Sequence, residues 1–196
     1  MIQIVRANKV KKNDEMSKLF IYSFFDMFSS YCNDKNKLIK AFKYIFNKEC
    51  FYVVLLENEV IGIGAVSDGS ASVKFSKFRL CRYLGIRTGK NLFNYLDNIL
   101  IKRDYDFEMD KECGMLEFVT IKEEYRNKNI GFILSNHIMH DNKYVRYLAK
   151  IADNNHSGKR MFEKIGFEEF HLEEASKKEK EDIGVNNYIY MIYQKS

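Results

Sequence analysis

Strand-like and helix-like segments alternate along almost the whole chain, and this alternation constrains the fold more than any other feature of the sequence. The predicted order is β-α-α-β-β-(α)-β-α-β-α-β-β, from a strand at Ile2–Arg6 to a strand at Tyr188–Tyr193. Chains that combine helix-separated strands with hairpins form a mixed sheet covered on both faces. We therefore predict an α/β fold whose central mixed sheet of about seven strands is flanked by helices.

The middle of the chain departs from simple alternation. Apolar residues at helical spacing between Leu92 and Leu100 precede the strand predicted at Met115–Ile121. We therefore expect an extra helical insertion before the central strand. The acidic segment Asp104–Glu112 and the charge run Glu173–Asp182 are both predicted to be loops.

Length and composition narrow the class of protein. A chain of 196 residues is typical of one domain, so we expect residues 1–196 to fold as a single domain. No apolar run approaches the ~18 residues that cross a membrane, and the first residues lack the pattern of a signal peptide. We therefore expect a cytoplasmic protein without a membrane partner. The net charge of +5 is spread without a basic stripe, which argues against nucleic acid.

Metal and thiol chemistry are not indicated by the sequence. No two of the cysteines have the spacing of zinc ligands: Cys32, Cys50, Cys81 and Cys113. We expect reduced thiols and no metal site. His137 and His140 have the spacing of two ligands on one helix face, but the sequence shows no third ligand.

The segment from Met115 to Phe167 carries the chemistry. It is predicted to form a strand, a basic loop, a helix, a second strand and a second helix. The loop opens the first helix, whose leading backbone N–H groups lack intrahelical partners and attract phosphate. Arg126 and Lys128 add positive charge, and Gly131 would let the backbone approach an anion closely. Taken alone, an ordinary basic turn before a helix would give the same pattern.

This segment contains two sequence motifs, one in the loop that enters the first helix and one in the second helix. The first reads IKEEYR at residues 121–126 and NKNIG at 127–131, and the second reads GKRMFEKIGF at 158–167. The first motif resembles V-x-P-x-Y-R followed by R/Q-x-x-G-x-G/A, and the second resembles A-x-x-L-Y-E-K-x-G-F. Both patterns are typical of the GNAT superfamily of acyl-CoA-dependent N-acyltransferases. The resemblance implies a GNAT-like fold, with acetyl-CoA as the cosubstrate.

The resemblance also implies how acetyl-CoA would bind. The pyrophosphate would lie on the backbone N–H groups of residues 127–131 and on Arg126, and the pantetheine arm would pair along the strand edge at 119–121, where the family's sheet splays. A backbone N–H on that edge would polarise the acyl carbonyl. The implied cofactor-binding residues are Val119, Thr120, Ile121, Arg126, Asn127, Lys128, Asn129, Ile130, Gly131, Asn155 and Phe162.

Two of these positions depart from the family pattern. Asn129 stands where the family usually has its first glycine, and asparagine is the non-glycine residue that best tolerates positive φ. Phe162 stands where the family has a tyrosine that commonly protonates the departing CoA thiolate. Because phenylalanine has no proton to donate, that role is vacant or is filled elsewhere.

The implied reaction is transfer of an acetyl group from acetyl-CoA to a primary amine of a small molecule or a peptide. Such an amine is protonated at pH 7 and therefore needs a base. Glu117, on the predicted central strand, is the candidate catalytic residue because many relatives carry a carboxylate there. A half-exposed strand residue or a salt-bridge partner is the alternative interpretation of Glu117.

Other functions stay open at this point. The departures at Asn129 and Phe162 would also suit a GNAT-fold protein that binds acyl-CoA, or a partner, without catalysing transfer. A nucleic-acid binder is supported only by the net charge and scattered tyrosines. The first two predicted helices carry more aromatic residues than one helix face needs. The surplus would be core, the lining of an acceptor pocket, or a homodimer interface.

Overall fold

The computed structural model describes residues 1–102, 105, 107 and 109–195, and these contain one seven-stranded mixed sheet. Its strands lie in the order β1-β2-β3-β4-β5-β7-β6, and each neighbouring pair is antiparallel except β4–β5, which is parallel. The strands are β1 Ile2–Arg6, β2 Phe51–Leu56, β3 Glu59–Ser67, β4 Cys113–Ile121, β5 Arg146–Ala152, β6 Glu168–Glu174 and β7 Asn187–Gln194. The predicted α/β fold is confirmed.

Helices cover both faces of the sheet. In the described part of the chain they are α1 Asn13–Ser23, α2 Asp26–Ser29, α3 Lys35–Phe42, α4 Lys77–Leu84, α5 Ile86–Leu96, α6 Ile130–Asp141, α7 His156–Ile165 and α8 Lys177–Ile183. The buried apolar residues of α1 to α5 form one core layer, and those of α6 and α7 form a second layer on the opposite face. Helices α4 and α5 confirm the insertion expected before the central strand.

Two local predictions are wrong, and a third falls partly on residues that the structure does not describe. The charge run predicted as a loop contains α8, because Ser176 and Glu179 cap that helix reciprocally and Tyr188 Oη donates a hydrogen bond to the Glu179 carboxylate at 2.8 Å. Apolar residues recur at helical spacing from Met16 to Phe28 and predict one helix over this range, but α1 ends at Ser23. Of the predicted acidic loop, Asp104, Asp106 and Glu108 lie outside the described residues.

The aromatic residues of the first helices are mainly core. Phe20, Phe28 and Phe42 have no exposed surface, and their rings lie 5.0 to 6.2 Å apart. Tyr22 and Tyr44 are exposed. Packing beneath α1 to α3 therefore accounts for most of the surplus, since each such ring removes a large apolar area from water.

Strands β4 and β5 part halfway along their length. Their parallel ladder runs from the Cys113–Arg146 pair to the Leu116–Ala149 pair. Beyond it, β4 continues to Ile121 against β3, while β5 continues to Ala152 against β7. The sheet therefore opens into a wedge in its middle, and two strand edges face each other across it.

A polar cluster fastens α6 to the first strands. Tyr52 Oη and Arg6 Nε both donate hydrogen bonds to Asp141 Oδ2, at 2.5 and 3.0 Å. The hydrogen bond from Tyr52 and the Arg6 charge hold the pKa of Asp141 below its ordinary value. The carboxylate therefore stabilises the fold when it is ionised.

We expect Asp141→Asn to lower the free energy of unfolding at pH 6 by no more than about 1 kcal/mol, because the carboxylate is partly exposed. A lowered pKa gives a stabilisation that is complete above the unfolded pKa of about 3.9 and is lost as pH falls through the folded pKa. Urea unfolding of both proteins from pH 6 to pH 3 measures this. If the difference in free energy of unfolding between the two proteins grows as the pH falls, the stabilising role of ionised Asp141 is contradicted.

Candidate functional site

A β-bulge in β4 lies at the point where the wedge opens. Glu117 is opposite Ala65 of β3, but Ile63 is opposite Thr120, so Phe118 and Val119 together face one β3 residue. Phe118 accommodates the extra residue with φ of 52°, a left-handed conformation that is rare for a bulky side chain. The bulge therefore breaks the normal alternation of side chains.

The bulge places Glu117 and Phe118 on the same face of the sheet. The Phe118 ring packs against Phe20 of α1, and Glu117 Oε2 accepts a hydrogen bond of 2.9 Å from Ser67 Oγ. Val119 turns to the other face and packs with the α6 layer. Glu117 is half-buried where β4 and β5 begin to part, on the face of the sheet that carries α1 to α5. Ser67 orients its carboxylate.

The loop that enters α6 contains two left-handed asparagines. Asn127 has φ of 60°, and Asn129, the N-cap residue of α6, has φ of 58° and ψ of 11°. Asn129 thus adopts the conformation expected of an asparagine in a glycine position. The loop turns sharply at both residues and leads into a twelve-residue helix, whose first N–H groups receive no hydrogen bond from the Asn129 side chain.

Three cationic side chains surround this loop. Arg126 Nε donates a hydrogen bond of 3.2 Å to the Ile121 carbonyl, and the Lys128 ammonium lies 5.2 Å from the centroid of the Tyr125 ring. The third is Lys164 of α7, whose Nζ donates to Asn129 Oδ1 at 3.1 Å. Sequence reasoning did not predict a role for Lys164, although it belongs to the second motif. The helix N-terminus and these cations give the loop a positive potential.

Gly131 makes room for a neighbouring helix. A Cβ at this position would lie 2.9 Å from Met161 Sδ of α7. The sequence suggested that Gly131 permits close approach of an anion. The structure adds a second reason for the glycine, which is close packing of α6 against α7.

Two of the implied cofactor residues have structural roles. Asn155 is the N-cap of α7, and its Oδ1 accepts a hydrogen bond of 3.0 Å from the Gly158 N–H. Phe162 is buried, and its ring centroid lies 5.0 Å from that of Phe167. The structure therefore brings residues 117–131 together around the wedge and the loop, while Asn155 and Phe162 support α7 beside them.

One cysteine, Cys50, lies near Glu117. Burial raises the pKa of the Cys50 thiol, and the nearby Glu117 carboxylate raises it further, so this thiol stays protonated at neutral pH. Within residues 1–102, 105, 107 and 109–195, no three His, Cys, Asp or Glu side chains are grouped as metal ligands. Across those same residues, no helix combines the length and apolar character that a membrane span requires.

Comparison with known families gives the class of protein. Residues 14–167 match the family described as Acetyltransferase (GNAT) family. Because this match spans most of the chain, the protein belongs to the GNAT acetyltransferases. No curated protein matches the sequence significantly.

Solved structures of the same fold cover nearly the whole chain. An N-acetyltransferase from Staphylococcus aureus superposes with a TM-score of 0.69 at 16% identity, over 97% of this chain and 100% of that one. A GNAT-family acetyltransferase from Bacillus cereus has a TM-score of 0.57 at 12% identity, over 100% and 99%. The ribosomal-protein-alanine N-acetyltransferase of Escherichia coli has a TM-score of 0.53 at 10% identity, over 100% and 95%. These similarities confirm the GNAT-like fold.

Proposed function

We propose that this protein transfers an acetyl group from acetyl-CoA to a primary amine of a small molecule or a peptide. The observation that carries the proposal is the wedge between β4 and β5, which has a cationic helix N-terminus at one end and a half-buried carboxylate at the other. The E. coli relative, by its name, acts on an alanine of a ribosomal protein. A peptide amine is therefore included among the candidate acceptors.

The residues present fit an acyl-CoA. An amide-bearing pantetheine arm can pair with the β4 edge at 119–121 as an added strand does. The first N–H groups of α6, with Arg126, Lys128 and Lys164, suit a pyrophosphate. Arg126 is held close to the β4 edge by its bond to the Ile121 carbonyl. One extended ligand would thus place its pantetheine arm on the β4 edge and its phosphates on the adjoining loop and α6 N-terminus.

Acetyl-CoA would supply an acyl group activated as a thioester. The chain would contribute a base: the Glu117 carboxylate, oriented by Ser67, accepts the proton of the acceptor ammonium directly or through one water. A backbone N–H near the bulge would polarise the acyl carbonyl. The C–N bond forms as the C–S bond breaks, and the electron pair leaves on sulfur. The nitrogen then gives up its second proton, to the thiolate or to solvent, to yield the amide. The thiolate would take its proton from solvent or from another group, since Phe162 has none to donate.

A second function remains as an alternative: a GNAT-fold protein that binds acyl-CoA without transferring the acyl group. The phenylalanine at position 162 favours it, because this side chain has no hydroxyl with which to protonate the thiolate. Turnover separates the two functions. Release of CoA thiol above background with any amine would eliminate the alternative.

We expect acetyl-CoA and desulfo-CoA to bind with dissociation constants within about tenfold of each other, and ATP to bind at least about tenfold more weakly. The reason is that ATP offers phosphates to the loop but has no pantetheine arm for the β4 edge. Calorimetric titration measures the three constants, and a panel of amines scored by thiol release follows. Equal affinity for ATP and acetyl-CoA would contradict the role of the wedge.

A further inference from the structure

Two phenylalanine rings lie next to each other on the face of the sheet that carries Glu117. Phe118 follows Glu117 on the same face, and Phe24 follows the last residue of α1. Their ring centroids lie 5.8 Å apart in an edge-to-face arrangement. Both residues are half-buried, so part of each remains accessible to solvent. The two rings form a continuous apolar wall.

The Phe118 half of this wall is fixed firmly. Its ring lies 5.2 Å from Phe20 and 6.1 Å from Phe51, and both of those side chains are fully buried. The left-handed φ of Phe118 directs the ring into this position. A strained conformation of a bulky residue persists only where its surroundings enforce it, and such residues are concentrated at functional sites.

The Phe24 half is held by the turn that ends α1. Thr120 Oγ1, two residues beyond Phe118 on β4, donates a hydrogen bond of 2.8 Å to Ser23 Oγ. The Phe24 ring also lies 5.0 Å from Phe20. The bond fastens the end of α1 directly above the strand edge that would carry the pantetheine arm.

We propose that Phe24 and Phe118 limit the length of the acyl group, so that the protein accepts acetyl and rejects longer chains. The proposal rests on the proposed function, which places the thioester at the bulge beside Glu117. An acyl chain that leaves the wedge there meets the two rings. A packed wall has little free volume, so added methylenes would have to displace a ring or turn into water.

The test is calorimetric titration with CoA, acetyl-CoA, butyryl-CoA and hexanoyl-CoA, which requires no knowledge of the acceptor. For the unmodified protein we expect butyryl-CoA to bind at least tenfold more weakly than acetyl-CoA. In Phe24→Ala the ratio of the two constants should fall to about threefold or less, because the cavity left by the ring admits the chain. Phe24→Leu should give an intermediate ratio and also preserves an apolar contact with Phe20 if the alanine variant folds poorly.

Tyr22→Ala is the matched control, since Tyr22 is an exposed aromatic residue of the same helix. It should leave the ratio unchanged. Equal binding of all acyl-CoAs to the unmodified protein, or an unchanged ratio in folded Phe24→Ala and Phe24→Leu, would overturn the proposal while leaving the cofactor site intact. Failure of CoA itself to bind would overturn the proposed function as well.

Discussion

Replacing Glu117 with glutamine should lower kcat for acetyl transfer by about 10²–10⁴-fold, the usual contribution of a positioned base. The amide has nearly the same shape and can still accept a hydrogen bond from Ser67, but it cannot take the proton of the acceptor ammonium. The dissociation constant for acetyl-CoA should stay within about twofold, because the carboxylate lies outside the groups proposed to bind the pantetheine arm and the phosphates. Stopped-time assays of thiol release, paired with calorimetry, measure both quantities.

The pH profile distinguishes a base from a merely structural carboxylate. In Glu117→Gln the remaining rate should rise as the pH approaches the pKa of the acceptor amine, since only the neutral amine fraction then reacts. Glu168→Gln, on exposed β6, is the matched control and should keep full activity. A Glu117→Gln protein that retains more than about a third of the original kcat would show that another group takes the proton.

Replacing Gly131 with aspartate should weaken acetyl-CoA binding by at least about 100-fold. A carboxylate in the first turn of α6 would neutralise the positive helix end and repel the pyrophosphate. Calorimetric titration measures the loss.

The added Cβ would also approach Met161 Sδ, so steric and electrostatic effects must be separated. Gly131→Ala introduces the same Cβ without charge. Because the thioether end of Met161 is flexible, this variant should lose no more than about fivefold in affinity. Gly131→Asn adds nearly the volume of aspartate without its charge and should fall between the two. If Gly131→Ala loses as much affinity as Gly131→Asp, helix packing rather than charge governs the loop.

Much of the fold follows from local patterns in the sequence. Asn58 predicts the hairpin between β2 and β3, because asparagine tolerates the left-handed conformation of a tight turn, and both Glu57 and Asn58 have positive φ there. Asn129 was predicted to tolerate the glycine conformation, and its φ of 58° agrees. These predictions succeed because turn chemistry depends on one or two residues and on little else.

Tertiary contacts explain much of what the sequence did not reveal. Helix α8 did carry a local signal, the capping box of Ser176 and Glu179, which the surrounding charge run obscured; the hydrogen bond from Tyr188 on the next strand adds a tertiary contact. The bulge at Phe118 was missed because a single residue in an apolar strand carries no local signal, and only the pairing with β3 exposes it. Lys164 was missed for the same reason, since its approach to Asn129 requires α7 to pack against α6.

The wedge between β4 and β5 also affects how readily this protein aggregates at high protein concentration. Sheets normally present open edges only at their borders, where short strands and charged residues discourage pairing with other chains. Here two facing edges lie in the middle of the sheet, beyond the Leu116–Ala149 pair. A ligand that fills the wedge would therefore occupy these edges and prevent them from pairing with strands of other molecules. The resistance of the protein to aggregation should rise with ligand concentration.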